Sequence, residues 1–160
     1  MELKNLFKLS IFIPTLMLIF TNNVFAEGFL EKTIGGLEQE RLKANEDTAC
    51  ATLKTIASAF EVYRSMNQKY PKTINELLNT KPPLIPSYMG DGKSSMGYKH
   101  EVIVSGDNNY LIVASPDSSM PAKFTGRYSF CIMEDGKIRR AKKDISITDY
   151  EIAQSLELLE

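Results

Sequence analysis

The sequence contains one histidine and two cysteines, and this scarcity argues against several kinds of catalytic site. A serine or cysteine nucleophile normally needs a histidine beside it as general base, so His100 would have to serve any such mechanism. A structural zinc site takes about four nitrogen or sulfur ligands, which this set does not provide without carboxylates. His100 lies between Lys99 and Glu101 on a predicted strand, where we expect a surface position. The sequence therefore predicts a protein that is not an enzyme.

The chain also lacks an excess of either charge. Its formal net charge is -1 at pH 7, whereas binding to DNA or RNA depends mainly on cationic contacts to phosphate. One basic run, Arg139–Lys143, is followed at once by Asp144 and is typical of a solvated strand edge. We therefore expect no nucleic-acid partner.

Long hydrophobic runs are absent apart from one near the amino terminus. Lysines precede an apolar stretch from Leu9 to Phe20, and a short polar segment then leads to Val24–Ala26. This order is typical of a Sec-type signal peptide over residues 1–26, with cleavage after Ala26. The stretch is shorter than the roughly 20 apolar residues of a spanning helix, which favours cleavage and export to the periplasm, the cell surface or the medium. An uncleaved membrane anchor or a buried core helix is the alternative.

Export changes the interpretation of Cys50 and Cys131. Outside the cytoplasm an even number of cysteines suggests a disulfide. A bridge would close a loop of about 80 residues, which the chain-entropy model values at roughly 4 kcal/mol. The bridge requires the two Cα atoms to approach within about 7 Å, and two buried free thiols are the alternative.

Residues 27–41 are predicted to form an exposed stem or linker. The adjacent glycines Gly35 and Gly36 weaken a helix, so we expect a break or hinge there. Apolar side chains recur along this segment and just beyond it. They form the candidate interaction surface, which comprises Leu30, Ile34, Leu37 and Leu42.

From Leu37 to about Asn67 the sequence contains neither glycine nor proline and has a helical pattern. Apolar residues recur there every three or four positions and predict one buried stripe. The stripe consists of Ala49, Leu53, Ile56, Phe60 and Tyr63. Tyr70-Pro71 follows the helix, and Thr73–Glu76 is a capping-box pattern that predicts a short second helix.

After Gly97 the hydrophobic pattern changes to alternation, which predicts four strands. They cover residues 98–105, 110–114, 127–133 and 137–142. The last two are joined by Asp135-Gly136, which suits a tight turn. The sequence therefore predicts an α+β fold, in which a long N-terminal amphipathic helix packs on a small antiparallel four-stranded sheet. A short amphipathic helix is expected in the tail, residues 144–160.

The order of these elements resembles the type IV pilins and the pseudopilins of type II secretion systems. The likeness covers about residues 42 to 140 and depends on short motifs in a particular order. In the helical part these are Lys43–Glu46, Ala49, Leu53–Ile56, Ala59, Glu61, Tyr63 and Tyr70-Pro71. In the sheet part they are Gly97-Tyr98, Tyr110, Ala114–Pro116, Thr125-Gly126, Phe130 and Asp135–Ile138. The resemblance implies a pilin-like domain over residues 42–143.

The position of the apolar stretch departs from the family pattern. Pilins have a Gly-Phe cleavage site directly before the hydrophobic helix that anchors the subunit. Here Gly28-Phe29 is followed by Leu30–Thr33, and the apolar stretch comes before that site. The resemblance therefore implies a soluble pilin-like domain with an ordinary export signal. Such a domain would cap, decorate or scaffold an assembly.

Two roles follow for a protein of this kind. The first is a non-catalytic structural or interaction subunit of a type II secretion or type IV pilus-like system. Its partners would be proteins, with a membrane contact only if the signal segment stays uncleaved. The alternative is an exported module that binds a small ligand or a peptide on the same fold.

Calcium is the cofactor that the resemblance raises, because some major pseudopilins bind it in a loop beside the sheet. The aspartates in predicted loops are Asp91, Asp107, Asp117 and Asp135. None of them belongs to a series of oxygen ligands with calcium spacing, and turn formation explains them more simply. The sequence therefore predicts no cofactor, and calcium bound in one of these loops is the alternative.

Overall fold

A computed structural model describes the backbone of residues 3–159 and the side chains of residues 32–159. The chain divides into two compact units, Met1–Glu40 and Arg41–Glu160. The predicted signal at residues 1–26, its cleavage site after Ala26 and the side chain of Leu30 lie outside the described side chains. Within the part whose side chains are described, no helix has both the length and the apolar character that crossing a bilayer requires.

The longest element is helix α1, which spans Leu3–Asn67. It continues through Gly35 and Gly36, so the predicted break there is wrong. Each glycine costs a helix only about 1 kcal/mol relative to alanine, and the residues that follow are good helix formers. The helix ends near Asn67 as predicted. Gln68 adopts the left-handed conformation, with φ of 61°, and its N–H donates to the Arg64 carbonyl at 2.7 Å.

The second helix, α2, spans Ile74–Leu78 and begins where the capping pattern predicts. Its cap differs from the prediction, because the Thr73 side chain makes no capping hydrogen bond. The Asp91 carboxylate instead accepts from the backbone N–H groups of Ile74 and Asn75, at 3.2 and 3.0 Å. A side chain from a distant loop thus takes the place of the local cap and ties that loop to the helix.

The sheet has six antiparallel strands in sequential order, so the predicted four-stranded sheet is wrong, although the class is α+β. The strands are β1 (Ser94–Ser95), β2 (Tyr98–Ser105), β3 (Tyr110–Pro116), β4 (Tyr128–Met133), β5 (Ile138–Lys142) and β6 (Glu157–Leu158). The predicted strands correspond to β2 through β5. The additional edge strands β1 and β6 have two residues each, too few to produce a detectable alternation.

One face of the sheet covers the predicted stripe of α1, and we call this packing the helix-side core. The helix contributes Ala49, Leu53, Ile56 and Phe60, and the sheet contributes Tyr98, Tyr110, Ile112, Phe130 and Ile132. The Phe60 and Tyr110 ring centroids are 5.1 Å apart, and Tyr70 meets Tyr110 edge-on at 4.8 Å. The predicted packing of the stripe against the sheet is confirmed.

The C-terminal segment covers the opposite face, and we call this packing the tail-side core. Its buried residues are Leu111, Val113, Cys131, Met133, Ala141, Ile147 and Ala153. Helix α3 spans Tyr150–Ser155 and is capped by Asp149, whose carboxylate accepts from the Ile152 N–H at 2.9 Å. The helix is shorter than the predicted tail helix, because the chain turns into β6 and pairs with β5.

Candidate interaction surfaces

The predicted interaction surface comprises Leu30, Ile34, Leu37 and Leu42, and two of these side chains are strongly exposed. Ile34 is 56% exposed and Leu37 is 61% exposed, three positions apart on α1. Leu42 is half-buried, and Leu30 lies outside the described side chains. Of the predicted surface, the side chains of Ile34 and Leu37 are therefore accessible to a partner, and we call them the stem pair.

Buried polar residues of α1 hold the loop that precedes β4. The Asn45 side-chain amide donates to the Phe124 carbonyl at 3.0 Å. The Glu46 carboxylate accepts from the Arg127 backbone N–H at 2.8 Å and from its Nε at 3.3 Å. The packing is so close at Gly126 that a Cβ atom there would overlap its neighbours. This loop is therefore fixed against the helix rather than free in solution.

His100 is buried, at 2% exposure, so its predicted surface position is wrong. Strand β2 lies between β1 and β3, and His100 faces α1 on the same side as Tyr98 and Val102. The imidazole hydrogen-bonds to the Ala49 carbonyl, and Nε2 has no partner in the described part of the chain. Burial lowers the pKa of His100 to about 4, so the ring is neutral at pH 7. Alternation of Tyr98, His100 and Val102 was the sequence signal for this position.

The two cysteines are free thiols on different sides of the sheet. Cys50 packs partly exposed beside the helix-side core, whereas Cys131 is buried in the tail-side core. The structure therefore has two free thiols and no disulfide, and of the two buried thiols in the alternative prediction only Cys131 is buried. Burial raises the pKa of each thiol to about 11, which disfavours the nucleophilic thiolate.

The loop aspartates have structural roles where their contacts are known. Asp91 caps α2, as described above. Asp117 accepts from the Ser119 hydroxyl at 2.7 Å and pairs with Lys99 at 2.9 Å. Asp135 forms an ion pair with Arg139 at 2.6 Å. No group of three or more histidine, cysteine or carboxylate side chains suited to a metal ion occurs among the described residues.

A surface depression of about 340 Å³ lies between α1 and the β5–β6 end of the sheet. Its lining consists of Cys50, Lys54, Gly136, Lys137, Ile138, Leu158 and Leu159. The volume is near the lower end of the range of small-molecule sites, about 300 to 1,000 Å³. The site combines an apolar floor with two lysine side chains and has the character of a shallow cleft.

A second exposed apolar group was not predicted from the sequence as an interaction surface. It consists of Tyr88, Met96, Met120 and Phe124, and we call it the loop patch. Its members are single residues in loops and in the 3-10 turns Ser87–Met89 and Ala122–Phe124, so they have no periodicity to detect. No protein-family model and no curated protein sequence matches the chain, so its residues alone carry the functional inference.

Proposed function

We propose that the protein is a non-catalytic, exported structural or interaction subunit, related to the pilin or pseudopilin components of a type II secretion or type IV pilus-like system. The observation that carries the proposal is the stem pair, two large aliphatic side chains exposed on one helix. Burying a side chain of this size is worth about 1.5–3 kcal/mol. That free energy becomes available when a partner covers the pair.

The partner that fits the stem pair is another protein subunit of the assembly. The exposed residues near the pair include Lys32, Glu38, Glu40 and Arg41, so this part of the helix is apolar with charges of both signs. A complementary surface would have an apolar groove with charges of both signs at its rim. A helix that lays apolar side chains into such a groove is a common mode of protein recognition.

The states of the titratable groups support a role without catalysis. His100 is enclosed and neutral at pH 7, so its imidazole is not placed to exchange protons with a bound solute. Both thiols have raised pKa values, which keeps them in the less reactive protonated form. The side chains from which a nucleophilic mechanism would be built are therefore in unreactive environments.

The assembly role is tested by exchanging one exposed apolar residue of α1. Leu37→Ser is compared with Met66→Ser, because both side chains are 61% exposed and both lie on α1. We expect Leu37→Ser to reduce co-purification with a secretion or pilus apparatus by about tenfold, the equivalent of one buried leucine contact. Met66→Ser should behave as wild type. Equal co-purification of the two variants would contradict the role of the stem pair.

Export is tested by mass spectrometry of the protein recovered from cells. A mature chain that begins at Glu27 would agree with cleavage after Ala26 and with a periplasmic or extracellular location. An uncleaved chain in the membrane fraction would replace the proposed soluble subunit with an anchored one. The same spectrum reports whether Cys50 and Cys131 carry free thiols.

The cleft beside Cys50 favours a second candidate, an exported module that binds a small ligand or peptide. Its apolar floor and its two lysines, Lys54 and Lys137, suit a ligand with an apolar body and a carboxylate. Native mass spectrometry of the purified protein would show such a molecule as an added mass. That mass should be lost in a Lys54→Ala, Lys137→Ala double variant if the cleft holds it. A spectrum with the polypeptide alone would leave the assembly role as the only candidate.

A further inference from the structure

The loop patch is carried by three segments of the chain that contact one another. The Ser94 hydroxyl approaches the Met120 sulfur at 3.7 Å. At the next turn, Gly97 lies so close to Phe124 that a Cβ atom on the glycine would come within 2.3 Å of the Phe124 carbonyl oxygen. The turn that carries Tyr88 lies against β1. Because Asn45 also holds the Phe124 carbonyl, the surface is organised before any partner arrives.

Met96 occupies a backbone position that is unfavourable for its residue type. It has φ of 48° and precedes Gly97 with φ of 79°, in the two-residue turn between β1 and β2. Such a turn requires left-handed conformations at both positions and strongly prefers Asn-Gly. Met96 is nevertheless 63% exposed, so packing within the chain does not explain a methionine here. Strained residues of this kind often serve recognition.

Two cationic side chains lie beside Phe124, one of the two aromatic residues of the patch. The Arg41 guanidinium lies 4.8 Å from the centroid of the Phe124 ring, and the Lys123 ammonium lies 5.2 Å from it. Neither cation is paired with a carboxylate among the residues that the structure describes. The rim of the patch therefore has two positive charges that are not held in ion pairs with described residues.

The composition of the patch indicates a protein partner rather than a lipid surface. Aromatic residues, methionine and arginine are the types enriched at protein–protein interfaces. Methionine adapts its shape to a partner side chain, which suits a surface that receives a helix or an extended segment. Membrane-inserting surfaces rely more on tryptophan, phenylalanine and leucine with many lysines.

We propose that Tyr88, Met96, Met120 and Phe124, with Arg41 and Lys123 at the rim, form a docking surface for an acidic, apolar segment of a partner protein. The four apolar side chains cover the nonpolar face of that segment, and the two cations meet its carboxylates. This surface belongs to the unit Arg41–Glu160 and does not depend on the stem pair. Failure of the Leu37→Ser experiment would therefore leave this proposal standing, and the reverse also holds.

The test uses the full exported protein labelled with carbon-13 at its methionine methyl groups. The probe is a synthetic amphipathic peptide of about 18 residues, roughly five helical turns, with leucine on one face and glutamate elsewhere. We expect its addition to shift the methyl signals of Met96 and Met120. Met66, exposed on α1, and Met133, buried in the tail-side core, are internal controls whose signals should not move. A peptide with lysine in place of glutamate should leave all four signals unchanged.

Variants then connect the signals to the proposed contacts. Phe124→Ala should weaken binding of the acidic peptide about tenfold, and Arg41→Gln should weaken it about threefold. Met96→Asn should also weaken binding while raising the thermal midpoint, which separates docking from folding. Equal binding of the two peptides, shifts at Met66 alone, or no shift at millimolar peptide would overturn the proposal. Patch signals that respond only to vesicles of phosphatidylcholine and phosphatidylglycerol would overturn it in favour of a membrane surface.

Discussion

The two faces of the sheet are packed by different kinds of residue. The helix-side core contains aromatic rings in tilted and edge-on contact, with Phe60 of the long helix against Tyr110 and Tyr110 against Tyr70. The tail-side core has small and aliphatic buried residues, covered by a six-residue helix and the segment before it. Because buried aromatic area contributes most to stability, the helix side should hold the fold and the tail side should open first.

The largest expected difference comes from removing an aromatic ring on the helix side. Phe60→Ala should lower the free energy of unfolding by about 4 kcal/mol, because the lost ring leaves a cavity that its neighbours cannot fill. Val62→Ala, at a position of the same helix that is 45% exposed, should change it by less than about 0.5 kcal/mol. Urea unfolding measures both values. Similar losses in the two variants would show that α1 is not packed as described.

The helix side should also respond to acid through His100. Its pKa is about 4 in the folded protein and 6.5 in the unfolded chain, so the unfolded chain binds the additional proton. The contribution of His100 to the free energy of unfolding is therefore fully present above pH 6.5. It falls by about 3 kcal/mol as the pH drops toward 4. His100→Gln keeps a donor for the Ala49 carbonyl but does not titrate. The difference in free energy of unfolding between wild type and variant should therefore change by that amount between pH 6.5 and pH 4. Parallel plots of unfolding free energy against pH would contradict a buried, neutral ring.

Local opening of the tail-side core should be measurable through the reactivity of the Cys131 thiol. Asp149→Ala removes the cap of α3 and should cost about 1 kcal/mol, equivalent to a roughly fivefold increase in local opening. Labelling of Cys131 by a thiol reagent should accelerate by that factor, while labelling of the partly exposed Cys50 stays constant. Equal acceleration at both cysteines would mean that the two faces open together.

The helix-side core was predictable because both of its partners have periodic sequences. The spacing from Ala49 to Phe60 identifies the buried face of α1, and alternation identifies strands β2 to β5. The two edge strands have no periodic pattern and were not predicted. Strands β1 and β6 contain two residues each, and their pairing depends on neighbours rather than on their own sequence.

The residues proposed to contact partners were less predictable than the fold for a related reason. Ile34 and Leu37 were found because they continue a helical pattern. Met96 and Phe124 belong to separate loops, and only the folded chain brings them together. The cap of α2 shows the same limitation, because the local Thr73 makes no capping bond and Asp91 arrives from a distant loop.

The smallest expected effect tests whether the loop residues, like those of the two cores, were selected for the stability of the fold. If the loop patch served folding, its residues would suit their backbone positions, as those of the helix-side core do. Met96→Asn creates the Asn-Gly pair that this turn prefers and should raise the free energy of unfolding by about 0.5 kcal/mol. Chemical denaturation with thermal melting as a cross-check measures the gain, and Met66→Asn controls for the loss of an exposed methionine. A loss of stability in Met96→Asn would mean that the methionine side chain serves the fold itself, whereas a gain marks a position where stability has been given up for an exposed apolar surface.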